Sequence, residues 1–128
     1  MLFEQGVQTI APDCVINESL TVFARRCREC GEPDAFARLA DRLAEAIPEE
    51  TITWLYPHVP RWFADCVAIM RDVRGTTSFH DALLRVAADE VGYRAIVGFD
   101  AGLDRLSGLR RLGSANAVKA WLRAAREG

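Results

Sequence analysis

The sequence lacks the segments that mark membrane and exported proteins. It contains no run of 18 or more apolar residues, which is the signal of a transmembrane helix. Its N-terminus has no basic start followed by an apolar segment, so no signal peptide is predicted. It also has no internal repeat and no low-complexity tract. We therefore expect a cytoplasmic protein with no membrane partner.

Lysine is nearly absent, and positive charge does not dominate. Of the 16 cationic residues only Lys119 is a lysine, and the formal net charge is −2. This balance excludes a strongly basic nucleic-acid-binding protein, although an enzyme that holds RNA briefly needs only a local basic patch. Arginine suits two-point contacts with phosphate or carboxylate groups. A GC-rich coding bias explains the same excess, and both explanations stay open.

The cysteines lack the second pair that a zinc site needs. Cys27 and Cys30 form a C-x-x-C motif, but Cys14 and Cys66 do not form another at similar spacing, which excludes a zinc site. The motif ends a predicted helix, where the helix dipole raises a thiol pKa, so a thioredoxin-type pair is excluded as well. We predict reduced and mostly buried thiols.

With 128 residues, half of them apolar, the chain can bury one core, and we predict a single domain over residues 1–128. Apolar residues recur at helical spacing in several segments, and short apolar or β-branched runs lie between turn signals. The predicted helices cover about Cys14–Cys30, Pro33–Ile47, Val59–Val73 and 114–127, and the predicted strands cover about Val7–Ile10, Thr51–Leu55, Ala95–Phe99 and Arg110–Leu112.

Helices between strands, in the order β-α-α-β-α-α-β, indicate a three-layer α/β/α domain with a short parallel sheet. Pro12 ends the first predicted strand, and Asp13 is predicted to cap the helix that follows. Met1 to Gln5 resemble the end of a helix, which Gly6 closes.

The other elements are organised around the stretch from Ser78 to Asp104. Ser78 is predicted to cap a helix that Gly92 ends. The apolar run Ala95–Phe99 is predicted to be a strand covered on both faces. Asp81 falls in the first turn of the helix and Asp100 directly follows the strand, so one crossover brings both carboxylates to the same sheet edge. That edge is where open α/β sheets bind ligands.

Each acidic residue also has a structural explanation. Asp81 is the fourth residue of Ser78-x-x-Asp, an arrangement that stabilises a helix start. Asp100 precedes Ala-Gly and can open a turn. Glu18 lies away from the apolar stripe of its helix, which is typical of a solvated surface residue. Pattern alone leaves the structural and the functional interpretations open.

Two stretches are similar to a known family. FHDALLRVAADEVGYRAIVGFDAGLDRLSGLRRL resembles the C-terminal half of a PIN domain. VQTIAPDCVINESLTVFARR resembles the second strand of that family and the helix after it, with Glu18 at the family's acidic position. The similarity spans roughly residues 5–112. PIN domains are divalent-metal-dependent ribonucleases, and many are the VapC-type toxins of type II toxin–antitoxin pairs, so the resemblance implies that function.

The resemblance also implies the site and its partners. Glu18, Asp81 and Asp100 would be the catalytic, metal-binding residues for Mg²⁺ or Mn²⁺. Asp104, by its position, is a further metal-ligand candidate that can equally cap Leu106 and its neighbours. Carboxylates brought together without a cation repel each other, so the cation is part of this prediction. The implied partners are an RNA substrate, a cognate antitoxin protein and a second copy of the chain.

Two departures from the family pattern bear on activity. The family begins with a strand that carries a metal-binding Asp, followed by two helices, and this sequence does not contain them. We therefore expect a PIN-like domain truncated at its N-terminus, with that strand encoded upstream of Met1, or a degenerate PIN fold without it. Gly98 stands where the family often has Thr or Ser. The chain as given is expected to bind Mg²⁺ or Mn²⁺ weakly and to cleave RNA little.

Three functions therefore stay open at this stage. The first is a PIN-type endoribonuclease, which is the function that the resemblance implies. The second is a catalytically dead PIN-like module that binds a partner protein or copies of itself. The third is an α/β scaffold domain unrelated to nucleases.

Overall fold

The structure is a computed structural model that describes residues 9–98 and 101–128. It combines helices with short parallel strands, as the sequence predicts. The chain divides into two compact units, Met1–Pro57 and His58–Gly128. Among the described residues, no helix has both the length and the apolar character needed to span a lipid bilayer.

In the first unit, two helices lie in sequence between two short strands. The strand β1 (Ala11–Pro12) leads directly into α1 (Asp13–Glu29), and α2 (Ala35–Ala46) follows. The strand β2 (Ile52–Thr53) then pairs in parallel with β1. Both predicted helices are confirmed. The α1 helix contacts both α2 and β1, so it joins the helical and the stranded parts of this unit.

Both strands of this unit are shorter than predicted. Val7 lies outside the described residues and Ile10 is not in a strand, so β1 pairs only over Ala11–Pro12. The strand predicted over Thr51–Leu55 is shortened because Glu49–Thr51 forms a 3-10 turn. The first strand also lies later than predicted, because Ala11 and Pro12, where the strand was expected to end, are the residues that pair with Ile52 and Thr53.

Gly31 explains how the chain leaves α1. It has a φ of +69°, a left-handed conformation that glycine adopts without steric cost. The amide of Glu32 then donates to the carbonyl of Cys27 over 2.9 Å, which closes the helix end. The C-x-x-C motif therefore lies at a helix C-terminus as predicted. Cys14, Cys27 and Cys66 are buried free thiols, and Cys30 is an exposed one, as the sequence predicts.

The second unit begins with two helices packed against each other and ends with a helix that contacts a strand. Its one strand pair within the described residues is parallel. In chain order its elements are α3 (Val59–Asp72), α4 (Phe79–Ala87), a π-helical turn (Ala88–Gly92), β3 (Ala95–Val97), a 3-10 helix (Ala101–Arg105), β4 (Arg110–Leu112) and α5 (Ala115–Glu127).

The α4 helix is buried on most of its surface. Ala82, Leu83 and Ala87 have no exposed area, and Leu84 is buried too. An apolar helix hidden nearly all round belongs to a core. It packs against α3. The core of the second unit therefore forms around α4, which fixes the position of the Asp81 backbone.

The strand β3 is less covered than predicted. It pairs in parallel with β4, with Ala95 opposite Arg110 and Val97 opposite Leu112. Val97 keeps 58% of its surface exposed, so the prediction of a strand covered on both faces is wrong for this residue. The physical reason is that coverage on both faces requires elements packed on each face, whereas β3 makes its main contacts within the described residues with the neighbouring strand β4. Phe99 lies outside the described residues.

Candidate metal-binding carboxylates

Glu18 lies on the exposed side of α1. It is the sixth residue of the helix, which starts directly after β1. Its side chain is exposed, and so are Val15 and Val22 on either side of it. Because β1 ends at the helix start, Glu18 lies in the second turn beyond the C-terminal end of a parallel strand. The helix position and the exposure agree with the sequence prediction.

Asp81 occupies the first turn of α4, as predicted. Its backbone amide donates a hydrogen bond of 3.1 Å to Oγ of Ser78, the residue that caps the helix. Its side chain is half-buried, while the next residue, Ala82, is fully buried. The buried helix therefore holds the Asp81 backbone in place. The hydrogen bond to Ser78 uses the backbone amide of Asp81, so it does not determine what the Asp81 carboxylate does.

Asp100 lies outside the described residues. The residue two positions before it, Gly98, continues the pairing of β3 with β4, because its amide donates to the carbonyl of Leu112 over 3.3 Å. A Cβ at Gly98 would lie 3.3 Å from Cδ1 of Leu103, which is a tight contact. A threonine or serine here would therefore require a small shift of the Leu103 side chain.

Asp104 is held by an arginine. Its Oδ1 accepts from Nε of Arg111 over 2.9 Å, and its Oδ2 accepts from Nη2 of Arg111 over 3.2 Å. Nη1 of Arg111 also donates to the carbonyl of Gly98 over 3.3 Å. A Cβ at Gly113 would overlap this Nη1, so a larger residue there would require the Arg111 side chain to shift. Both oxygens of Asp104 are thus engaged, which gives this metal-ligand candidate a structural role.

This pairing predicts a pH dependence. The hydrogen bonds and charge of Arg111 lower the pKa of Asp104 below its ordinary value of 3.8. A carboxylate whose folded pKa is lowered stabilises the fold fully above its unfolded pKa and loses that contribution as the pH falls through the folded value. We therefore expect Asp104→Asn to lower the urea midpoint at neutral pH. As the pH falls from 3.8 through the lowered folded pKa of Asp104, its midpoint should converge with that of the parent.

Asp41→Asn is the control for this prediction, because Asp41 is exposed within α2 and forms no ion pair in the described part of the chain. Its effect on the midpoint should not depend on pH in the same way. A constant difference between Asp104→Asn and the parent at every pH would contradict the assignment of the ion pair.

The predicted ligands fall in different parts of the chain. Glu18 belongs to the first unit, Asp81 and Asp104 belong to the second, and Asp100 lies outside the described residues. Among the described residues, no group of three His, Cys, Asp or Glu side chains could hold a metal ion. The carboxylates that are described supply the oxygen donors that Mg²⁺ and Mn²⁺ prefer. A shared metal site stays a prediction.

Sequence reasoning missed the role of Asp13. Its carboxylate is buried, with 5% of the residue exposed. Oδ1 accepts from the amides of Cys14 and Leu55, and Oδ2 accepts from the amide of Tyr56, each over 2.9 Å. Asp13 is the first residue of α1 and Pro12 is the cap, so the predicted capping role is wrong. The sequence signal that could have indicated burial of Asp13 was its position between an apolar strand and Cys14.

The thiol of Cys14, next to Asp13, is unreactive because it is buried as well. Burial, with smaller contributions from the negative charges of Asp13 and Glu18, raises the pKa of its thiol to about 12. Burial likewise raises the pKa of the Cys66 thiol, with a smaller contribution from Asp65. Thiolates are the reactive form of cysteine. Neither residue is therefore suited to nucleophilic or redox chemistry.

A cleft of about 380 Å³ was also missed. It opens within the second unit, where α3, α4 and the 3-10 helix supply its walls. Within the cleft, Nη1 of Arg85 lies 3.0 Å from Oδ2 of Asp89, and Nε of Arg85 donates to the carbonyl of Ser107. Arg105 donates to the carbonyl of Thr76 over 3.1 Å. Acidic residues and apolar side chains share the rest of the lining. Glu18 and Asp81 are not part of it.

Comparison with protein-family models, with curated proteins and with solved structures finds no match to this chain.

Proposed function

We propose that this chain is a PIN-type, divalent-metal-dependent endoribonuclease, the toxin of a type II toxin–antitoxin pair, built on a three-layer α/β/α PIN-like fold. The observation that carries the proposal is the order of elements around one carboxylate. Ser78 caps α4, Asp81 lies in its first turn, and the helix leads to β3, which runs parallel to β4. This is the local arrangement that the PIN resemblance implies. Its partners in this role are RNA, a cognate antitoxin and a second copy of the chain.

The carboxylates have the chemistry that the reaction needs. Glu18, Asp81 and Asp100 would hold Mg²⁺ or Mn²⁺ through hard oxygen donors. When bound, such a cation activates a water and neutralises charge on the scissile phosphate. The residues themselves contribute negative charge and fixed positions, and α4 provides the rigid support for Asp81. Both carboxylate oxygens of Asp104 accept hydrogen bonds from Arg111, so the proposed ligand set does not include Asp104.

A second candidate is the catalytically dead PIN-like interaction module. The observation that favours it is the exposure of large apolar residues. Val15 and Val22 are exposed at 37% and 39% on α1, and Phe63 is exposed at 55% on α3. The Phe63 ring lies 5.9 Å from the ring of Phe79, so two aromatic side chains share one region of the second unit. Such residues suit binding of a protein partner.

The experiment that tests the ribonuclease proposal combines a Mn²⁺ titration with cleavage of a labelled RNA in Mn²⁺ and in EDTA. Glu18→Gln should weaken Mn²⁺ binding at least about tenfold. Loss of a residue that only supports a metal ligand already weakens binding by about that factor, and loss of the ligand itself should weaken it no less. It should also reduce any Mn²⁺-dependent cleavage. Glu45→Gln, an exposed glutamate on α2, is the matched control and should behave as the parent.

Two outcomes would count against the proposal. Equal Mn²⁺ binding by the parent and by Glu18→Gln would remove Glu18 from the site. Cleavage that persists in EDTA would show that any ribonuclease activity does not need a metal.

A further inference from the structure

The cleft of the second unit lies along one face of α3. Asp65, Ala68, Ile69, Asp72 and Val73 line it, and their spacing of i, i+3, i+4, i+7 and i+8 places them on the same side of that helix. The rest of the lining comes from α4, the π-helical turn, the 3-10 helix and the two residues after it. The volume of about 380 Å³ is within the range of small-molecule pockets. The cleft is therefore large enough for a small organic ligand.

The most buried residues of the lining are apolar. Val86 and Leu106 are 9% and 3% exposed, and Ile69 and Val73 are half-buried. We call these four residues the floor of the cleft. Methylene chains pack on such a surface, as the stems of lysine and arginine side chains do. The floor of the cleft therefore suits an aliphatic chain.

The charged residues of the lining are mostly acidic. Four carboxylates and two guanidinium groups line the cleft, which leaves a net charge of −2. The carboxylates belong to Asp65, Asp72, Asp89 and Glu90, and all four residues are exposed. A cleft that combines apolar walls with an excess of one charge concentrates ions of the opposite charge. The charge of the cleft therefore favours a cationic ligand.

The arginines of the lining leave three of the carboxylates without a counter-charge. Arg85 pairs with Asp89, and only 20% of the Arg85 side chain is exposed. The other arginine donates to a backbone carbonyl. Within residues 9–98 and 101–128, Asp65, Asp72 and Glu90 form no ion pair. These three carboxylates are therefore available to an external cation.

The carboxylates are spread along the cleft. Asp65 and Asp72 are seven residues apart on α3, which corresponds to about 10.5 Å along the helix axis. In the part of the chain that the structure describes, no three acidic side chains form a group that could hold a metal ion. The cleft therefore fits a ligand whose positive charges are separated by apolar segments better than it fits a single metal ion.

We infer that this cleft binds a linear aliphatic polyamine, which is a chain of methylene groups with amine cations at intervals. The ammonium groups donate charge-assisted hydrogen bonds to the carboxylates of Asp65, Asp72 and Glu90. The methylene groups lie on the floor of the cleft, where they replace water on apolar side chains. The inference does not depend on the proposed ribonuclease function, because neither Glu18 nor Asp81 lines the cleft.

The test is calorimetric titration of the whole chain with spermidine at low salt. An Asp65→Asn/Asp72→Asn variant keeps the shape of both side chains and removes their charges. It should bind spermidine about 3- to 30-fold more weakly than the parent, since two exposed ion pairs together contribute up to about that factor. Butylamine, which has a methylene chain but a single charge, should bind the parent more weakly than spermidine does.

A second variant, Ala68→Phe, separates binding in the cleft from a general attraction of cations. Ala68 is exposed and lines the cleft, so a phenyl ring there takes up space that the ligand needs while the net charge stays the same. This variant should also bind spermidine more weakly than the parent.

The matched control is Asp41→Asn/Glu45→Gln. These exposed carboxylates lie on another helix, α2, and their replacement changes the net charge as much as Asp65→Asn/Asp72→Asn does. This variant should bind spermidine with the affinity of the parent. Circular dichroism of each variant checks that the helices are intact.

Any of the following results would overturn the inference. The parent could show no binding at millimolar spermidine, or Asp65→Asn/Asp72→Asn could bind spermidine like the parent. An equal loss of affinity in the α2 control would indicate a general effect of net charge. Unchanged binding by Ala68→Phe would place the ligand outside the cleft. Mg²⁺ that binds as tightly as spermidine and displaces it would identify a metal ion as the ligand.

Discussion

Asp13→Ala is expected to lower the free energy of unfolding by about 3–5 kcal/mol, because it leaves buried backbone amides without an acceptor. The carboxylate accepts from Cys14, Leu55 and Tyr56. Leu55 is 1% exposed, so water does not readily replace the lost acceptor at its amide. The loss should exceed that of an ordinary surface substitution several times over.

Urea denaturation and hydrogen exchange measure this effect together. Exchange reports directly on the amides of Leu55 and Tyr56, which should lose protection in Asp13→Ala. Asp13→Asn keeps one acceptor oxygen and should fall between the parent and the alanine variant. Asp41→Ala, at an exposed position of α2, should change stability by no more than about 0.5 kcal/mol. A loss of under about 1 kcal/mol in Asp13→Ala would show that these hydrogen bonds contribute little.

Elements that depend on neighbouring residues were predictable. The boundaries of α1, α3 and α5 agree with prediction to within one residue, because apolar spacing and end signals are local. Ser114 illustrates this, since its Oγ accepts from the amide of Ala117 over 3.1 Å and starts α5 where predicted. Local sequence also placed β4 correctly. In each case the deciding residues lie within one or two turns of the element.

Contacts between distant residues were not predictable. Asp13 binds an amide 42 positions further along the chain, and the same residue at a strand-to-helix boundary also has the chemistry of a helix cap. Arg111 was predicted only as part of a short strand, yet it connects Gly98 with Asp104. Local patterns cannot choose among partners that folding brings together. This is why the capping prediction for Asp13 was wrong.

The candidate site also combines a local feature, which was predictable, with a contact between distant residues, which was not. The sequence placed Asp81 in the first turn of a helix because Ser78, three residues earlier, fixes that turn. A shared site with Glu18 would depend on elements more than 60 residues apart in the sequence, and no local pattern sets that distance. The ligand set therefore needs variants that test one carboxylate at a time.

Asp81→Asn and Ser78→Ala should separate metal binding from helix capping. Asp81→Asn is expected to weaken Mn²⁺ binding by about 10- to 100-fold, the scale of losses at metal sites, because it removes the charge that would hold the cation. It should cost no more than about 1 kcal/mol of stability, since the amide that donates to Ser78 remains and only the favourable charge at the helix N-terminus is lost.

Ser78→Ala should show the reverse pattern. It removes the oxygen that accepts from the Asp81 amide, which should cost about 1 kcal/mol, while the carboxylate of Asp81 is kept. Because the rest of α4 is buried, the helix should still form and Mn²⁺ affinity should stay near that of the parent. Calorimetric Mn²⁺ titration and urea denaturation of the same samples decide between the two roles. If both variants bind Mn²⁺ like the parent, Asp81 is a structural residue at a helix start and the ribonuclease proposal loses one of its ligands.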